Sequence, residues 1–197
     1  MTMRELVTPW VMATVLAFMG GIVMDAASWG TMGWGYRDTE DKQTTVGLWR
    51  VCNLTKERDG TTTESCIFPT EVEQDWIPKA MVMEIMAGFC GIGIFFTLII
   101  FVFTLRLDWM RSRFILVALM AEGLLAGLFN FIGLMSFGLN MKSLGADPSY
   151  SLVFETLAVL CYFAGCAFGV CDMQKCCLQP SEELNTHKMG GGQTRLI

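Results

Sequence analysis

Four apolar stretches, each roughly 20 residues or longer, constrain this chain more than any other feature. They run from about Leu6 to Ala27, Ile77 to Leu105, Phe114 to Leu139 and Ser149 to Cys171. A helix needs about 20 apolar residues to cross the roughly 30 Å hydrocarbon core of a bilayer. A chain of 197 residues has no water-soluble core large enough to hide four such segments. Charged residues make up only 17%, against about 25% in ordinary globular chains. The expected fold class is a membrane all-α protein, a four-transmembrane helix bundle in a lipid bilayer. Residues 1–178 read as one four-span domain. Residues 179–197, polar and containing Gly190-Gly191-Gly192, read as a disordered tail. The first stretch also resembles a signal peptide, with Arg4 before it and Ala26-Ala27-Ser28 after it. Met24 and Asp25 stand where a signal peptidase wants small residues, so the expectation is a retained span.

Charge asymmetry orients the spans. The link after the second span holds Arg106, Arg111 and Arg113 against Asp108. By the positive-inside rule it is cytoplasmic, and both termini are then cytoplasmic too. Residues 28–76 and 140–148 become two extracellular loops, and the protein is expected at the plasma membrane. The net charge of −5 with no basic stripe argues against nucleic acid as a partner.

The first loop changes character. Thr44 to Cys52 reads as a strand, and Asp59-Gly60 is a tight-turn dipeptide between Cys52 and Cys66. Two cysteines in an oxidising compartment read as one disulfide; two free thiols are the alternative. Closing a loop of about 15 residues stabilises by about 3 kcal/mol. The expectation is a hairpin tied across its strands, a small disulfide-stapled antiparallel β-sheet ectodomain. Asn53-Leu54-Thr55 beside it is a glycosylation sequon.

Trp29, followed by Gly47-Leu48-Trp49-Arg50-Val51-Cys52 and then Cys66, resembles the extracellular signature of the claudin superfamily. That superfamily includes claudins, peripheral-myelin and epithelial-membrane proteins, and calcium-channel gamma subunits. Trp34 lies too near Gly47 for the signature spacing. The third span around Gly123 to Phe137, Lys79 before the second span, and Cys176-Cys177 after the fourth are similar too. The gap between the cysteines is long, and a sequon beside Cys52 is more typical of the gamma and myelin branches, so the branch stays open. The resemblance implies an adhesion or paracellular barrier protein of cell–cell junctions, associating with itself laterally and across cells. The alternative it implies is an auxiliary subunit of an ion channel or receptor. From Arg37 to Lys79 the chain carries six basic and nine acidic residues, which would favour cations in a paracellular pore.

Within the spans, Gly20-Gly21, Gly88, Gly91, Gly93, Gly123, Gly127, Gly165 and Gly169 are small-residue sites expected to build the bundle. Glu84, Glu122 and Asn130 are intramembrane polar residues, with Glu122 and Asn130 on one helix face. Asp25 and Glu155, near helix ends, are expected to be wet. Cys90, Cys161 and Cys166 read as packing residues, whereas Cys171, Cys176 and Cys177 are palmitoylation candidates. His187 is the only histidine, and no metal-ligand spacing, cofactor motif or catalytic constellation is recognisable. Enzyme activity is not expected, and a transporter lacks the inverted repeat. The C-terminal Ile197 offers a PDZ contact, although Arg195 occupies the usual Ser/Thr position.

Overall fold

The computed structural model describes residues 8–31, 33–39, 42–56, 61–68, 76–104 and 109–178, with backbone alone at 109–111, 142–144 and 175–178. The Asp59-Gly60 turn, the tail with Ile197, and the side chains of Cys176 and Cys177 fall outside the described atoms.

Four helices carry the apolar stretches: α1 (Pro9–Gly30), α2 (Trp76–Thr104), α3 (Trp109–Leu144) and α4 (Tyr150–Leu178). All four are long and apolar enough to cross a membrane, so this is a multi-pass membrane protein. Helix α1 starts where sequence chemistry dictates: the Thr8 hydroxyl accepts from the Val11 N–H at 3.1 Å, and Pro9 occupies the first turn. The Thr8 hydroxyl also donates to Asp172, tying α1 to α4 at the end remote from the sheet. Helix α1 packs chiefly on α4 and α2 on α3, with α3 and α4 joining the pairs.

Burial is inverted relative to a water-soluble bundle. Phe89, Phe96 and Phe103 of α2 and Leu160 of α4 are among many large apolar side chains that face outward, where lipid replaces water as their solvent. Lipid gives helices no hydrophobic reason to associate, so packing shape must do it. Several of the small residues are sockets for rings from neighbouring helices. Phe18 of α1, fully buried, enters the space left by Gly123 of α3 and Gly165 of α4. Tyr162 of α4 lies against Gly21 of α1. The expectation that these glycines build the bundle is met.

Five strands form one antiparallel sheet: β1 (Gly35–Thr39), β2 (Lys42–Val46), β3 (Val51–Lys56), β4 (Thr62–Ile67) and β5 (Asp147–Pro148), in the order β4-β3-β2-β1-β5. Cys52 stands opposite Cys66 in the β3–β4 register, and the two are disulfide-bonded.

Two expectations need correction. Thr44–Cys52 is not one strand: β2 ends at Val46, β3 begins at Val51, and the chain turns between them. Residues 140–144 are not loop, because α3 continues to Leu144. At 36 residues that helix is about 54 Å long and overshoots the bilayer core. The second loop contributes strand β5, which pairs Gly35↔Pro148 and Tyr36↔Asp147 with β1. The overshoot is stabilised by a second core, in which Trp34, Val46, Leu48, Val51, Ile77, Phe137 and Met141 are buried together. Phe137 meets Trp34 and Trp76 edge-on at 5.1 and 5.3 Å.

Gly145 makes the corner between α3 and β5, with φ of 61°. A β-branched side chain is strained in that left-handed conformation by roughly 1–2 kcal/mol. Gly145→Val should therefore lower thermal stability in detergent, and Gly145→Asn, which tolerates that region, should lower it less. Equal melting of all three proteins would contradict this account of the corner.

Candidate functional site

The recognisable loop motif and a set of buried acids meet at the sheet end of the bundle. Gly47-Leu48-Trp49-Arg50 forms the connection between β2 and β3, closed by the Gly47 N–H donating to the Arg50 carbonyl at 3.0 Å. Leu48 is 1% exposed; drawing it into the second core turns the chain down onto the helix ends. Trp49 next to it remains 39% exposed, and its N–H donates to the Trp29 carbonyl at 3.3 Å. The two indoles meet edge-on with centroids 5.4 Å apart. The Trp29 ring sits so close to Gly88 of α2 that a Cβ there would overlap it. Trp29 and Trp49 thus seat the loop on α1 and α2.

Trp34, set aside on spacing, is fully buried, and its backbone is held from both sides. Its N–H donates to the Val46 carbonyl at 2.9 Å, and its carbonyl accepts from the Ser149 N–H at 3.0 Å. Trp76, partly buried, packs against the same core. Asn53 lies half-buried in β3, and its amide oxygen accepts from the Thr44 hydroxyl at 2.8 Å.

Beneath this seat lie Asp25 of α1, Glu84 of α2 and Glu155 of α4. Each offers a carboxylate oxygen within 4.8 Å of the others. Glu84 and Glu155 are fully buried and Asp25 is 5% exposed. The expectation that Asp25 and Glu155 are wet is therefore wrong. Both stand near helix ends, but their rotational position decides: they lie on the stripes Phe18-Gly21-Asp25-Ser28 and Ser151-Glu155-Ala158-Tyr162, which face inward. The Tyr162 hydroxyl donates to Asp25 Oδ2 at 3.3 Å. Asp25 Oδ1 and both carboxylate oxygens of Glu84 and Glu155 have no hydrogen-bond partner. Ser28 stands beside Glu155, and Trp29 beside Glu84, without reaching hydrogen-bond geometry. Gly133 of α3 leaves the room that the Glu84 carboxylate occupies.

Asn130 of α3 is fully buried and faces Asp25, again short of hydrogen-bond geometry. Glu122 does not join this group; it is half-buried against Gly93 of α2. A cavity of about 380 Å³ opens between α1 and α2, with Asp25, Trp29 and Tyr162 in its wall and Ile92, Phe95 and Phe96 around it.

No protein-family model and no curated protein matches this chain.

Among the remaining candidate residues, Cys171 is a half-buried free thiol on α4, toward the end remote from the sheet. Cys90, Cys161 and Cys166 are half-buried in the bundle, as packing residues would be. Helical phase in the sequence could have found the cluster: Asp25 sits four residues after Gly21, and Glu155 seven before Tyr162.

Proposed function

We propose that this is a claudin-like protein of cell–cell contacts at the plasma membrane, acting in adhesion and paracellular sealing through self-association. The observation that carries this reading is the stapled sheet itself. It stands at the end of the bundle on a continuous α3, and its edge strand β4 is exposed along its whole length. Ile67 and Phe68 at the end of that edge are 38% and 68% exposed. An uncovered edge with apolar side chains pairs readily with another copy in the same membrane. The W-GLW-C-C resemblance supports the same reading, since each of its residues helps to seat or staple the sheet. In this reading both termini are cytoplasmic, Cys171, Cys176 and Cys177 are the acylation candidates, and Ile197 is a PDZ ligand.

A tagged copy in mixed cultures of expressing and non-expressing cells tests it. Enrichment only where two expressing cells touch is the expected result, and Phe68→Ser should reduce clustering within the contact. Uniform surface staining would sink the junctional reading.

The second reading is an auxiliary subunit of a channel or receptor. The Asn53 sequon favours it, as does the outward ridge Phe89, Phe96 and Phe103, repeating every seven residues along α2. Co-purification with a channel whose gating it alters would support this alternative.

A further inference from the structure

We infer that Asp25, Glu84 and Glu155, with Asn130, form a binding site for one hard divalent cation, Ca²⁺, inside the sheet end of the bundle. Three carboxylates share one buried pocket, and the interactions at each come from one another and from neutral neighbours, not from a basic side chain. An isolated buried carboxylate is costly unless a proton or a counter-charge offsets it. Asn130 provides the independent sign that a ligand belongs here. It is fully buried, aimed at Asp25, and neither its oxygen nor its nitrogen has a hydrogen-bond partner. A buried amide with nothing to bind is destabilising, and a cation would engage its oxygen.

Donor number and size select the ion. Asp25 Oδ1 and both oxygens of Glu84 and of Glu155 lack a hydrogen-bond partner, as does the amide oxygen of the neighbouring Asn130, six oxygens in and beside the cluster. Calcium takes 6–8 oxygen ligands at about 2.3–2.6 Å, so opposite ligands stand about 5 Å apart. One carboxylate oxygen from each of the three acids lies within 4.8 Å of the other two, which fits that span. Zinc prefers nitrogen and sulfur, and the cluster has neither His nor Cys. Magnesium demands a tighter octahedron and keeps its waters. Each acid comes from a different helix, and Asn130 from the remaining one. An ion here would therefore cross-link all four spans directly beneath the Trp29–Trp49 seat.

The test uses full-length protein in lipid nanodiscs, with ⁴⁵Ca²⁺ binding and thermal melting in calcium or EGTA. One saturable Ca²⁺ per chain and a higher melting temperature in calcium are expected. Glu155→Gln should weaken binding at least about tenfold, while Glu122→Gln, outside the cluster, should bind as the wild type does. Terbium luminescence sensitised through Trp29 and Tyr162 should appear in the wild type and fade in Glu155→Gln. The wild-type comparison of calcium with EGTA needs no variant, so a misfolded Glu155→Gln would not leave the inference untested. A wild type that retains no ⁴⁵Ca²⁺ and melts alike in both buffers overturns the site and leaves protons to neutralise the acids. Equal binding by Glu155→Gln and wild type would overturn it as well.

Discussion

Phe18→Ala should lower bundle stability by about 3 kcal/mol, the lower end of the usual cost of removing a buried phenylalanine. The lower end applies because lipid is as apolar as the core, so the transfer part of the cost fades and the cavity part remains. Phe18 is fully buried and fills the gap opposite two glycines, Gly123 and Gly165. A Cβ on Gly165 would stand 2.9 Å from the ring, and one on Gly123 would overlap it. Gly123→Ala should thus destabilise the wild-type bundle. It should be tolerated better in the Phe18→Ala background, where the added methyl occupies space the ring has left. Unfolding in detergent can be followed by the reactivity of the bundle thiols Cys90, Cys161 and Cys166 with a thiol-specific dye. The double-mutant cycle isolates the ring-to-glycine contact from any general weakening. Additive losses would mean that Gly123 matters for something other than Phe18.

The second large effect is expected at the staple. Replacing both Cys52 and Cys66 with Ser should cost about 3 kcal/mol, the entropy of a closed loop of about 15 residues. The cost should fall on the sheet rather than on the spans. Strand β4 is exposed throughout and, among the described residues, pairs only with β3, so without the bond little else there holds it in register. The paired substitution is the cleaner test, because a single Ser leaves a free thiol to link neighbouring copies. Loss of the edge-on Trp29–Trp49 contact should appear as a changed tryptophan emission at a lower temperature than thiol exposure in the bundle. Simultaneous loss of both signals at the wild-type temperature would show that the staple is energetically idle.

Much of this architecture is legible in the sequence. Apolar length alone determines the four spans, because a helix must be about 20 residues long to cross a bilayer and no soluble core could hold these. The hairpin and its disulfide follow from two cysteines flanking a turn dipeptide in a polar segment. Glu84 and Asn130 are recognisable as buried polar residues because each sits well inside an apolar run.

Other features were decided by tertiary contacts. Whether Asp25 and Glu155 are wet depends on which way each helix end is turned, and hydropathy averaged over a window discards that phase. Whether Thr44–Cys52 runs straight or turns depends on Leu48 finding a buried place against Ile77, Phe137 and Met141. Strand β5 has two residues, one of them a proline, and no local signal. It exists because Gly145 turns the chain back toward β1 at the end of an α3 that outruns the membrane. Chain length and polarity thus set what the protein could be, whereas helix rotation and the packing of a few rings set where its acids and its sheet stand. Period and composition are properties of one segment, but rotation and register are fixed only by the segment on the other side of the contact.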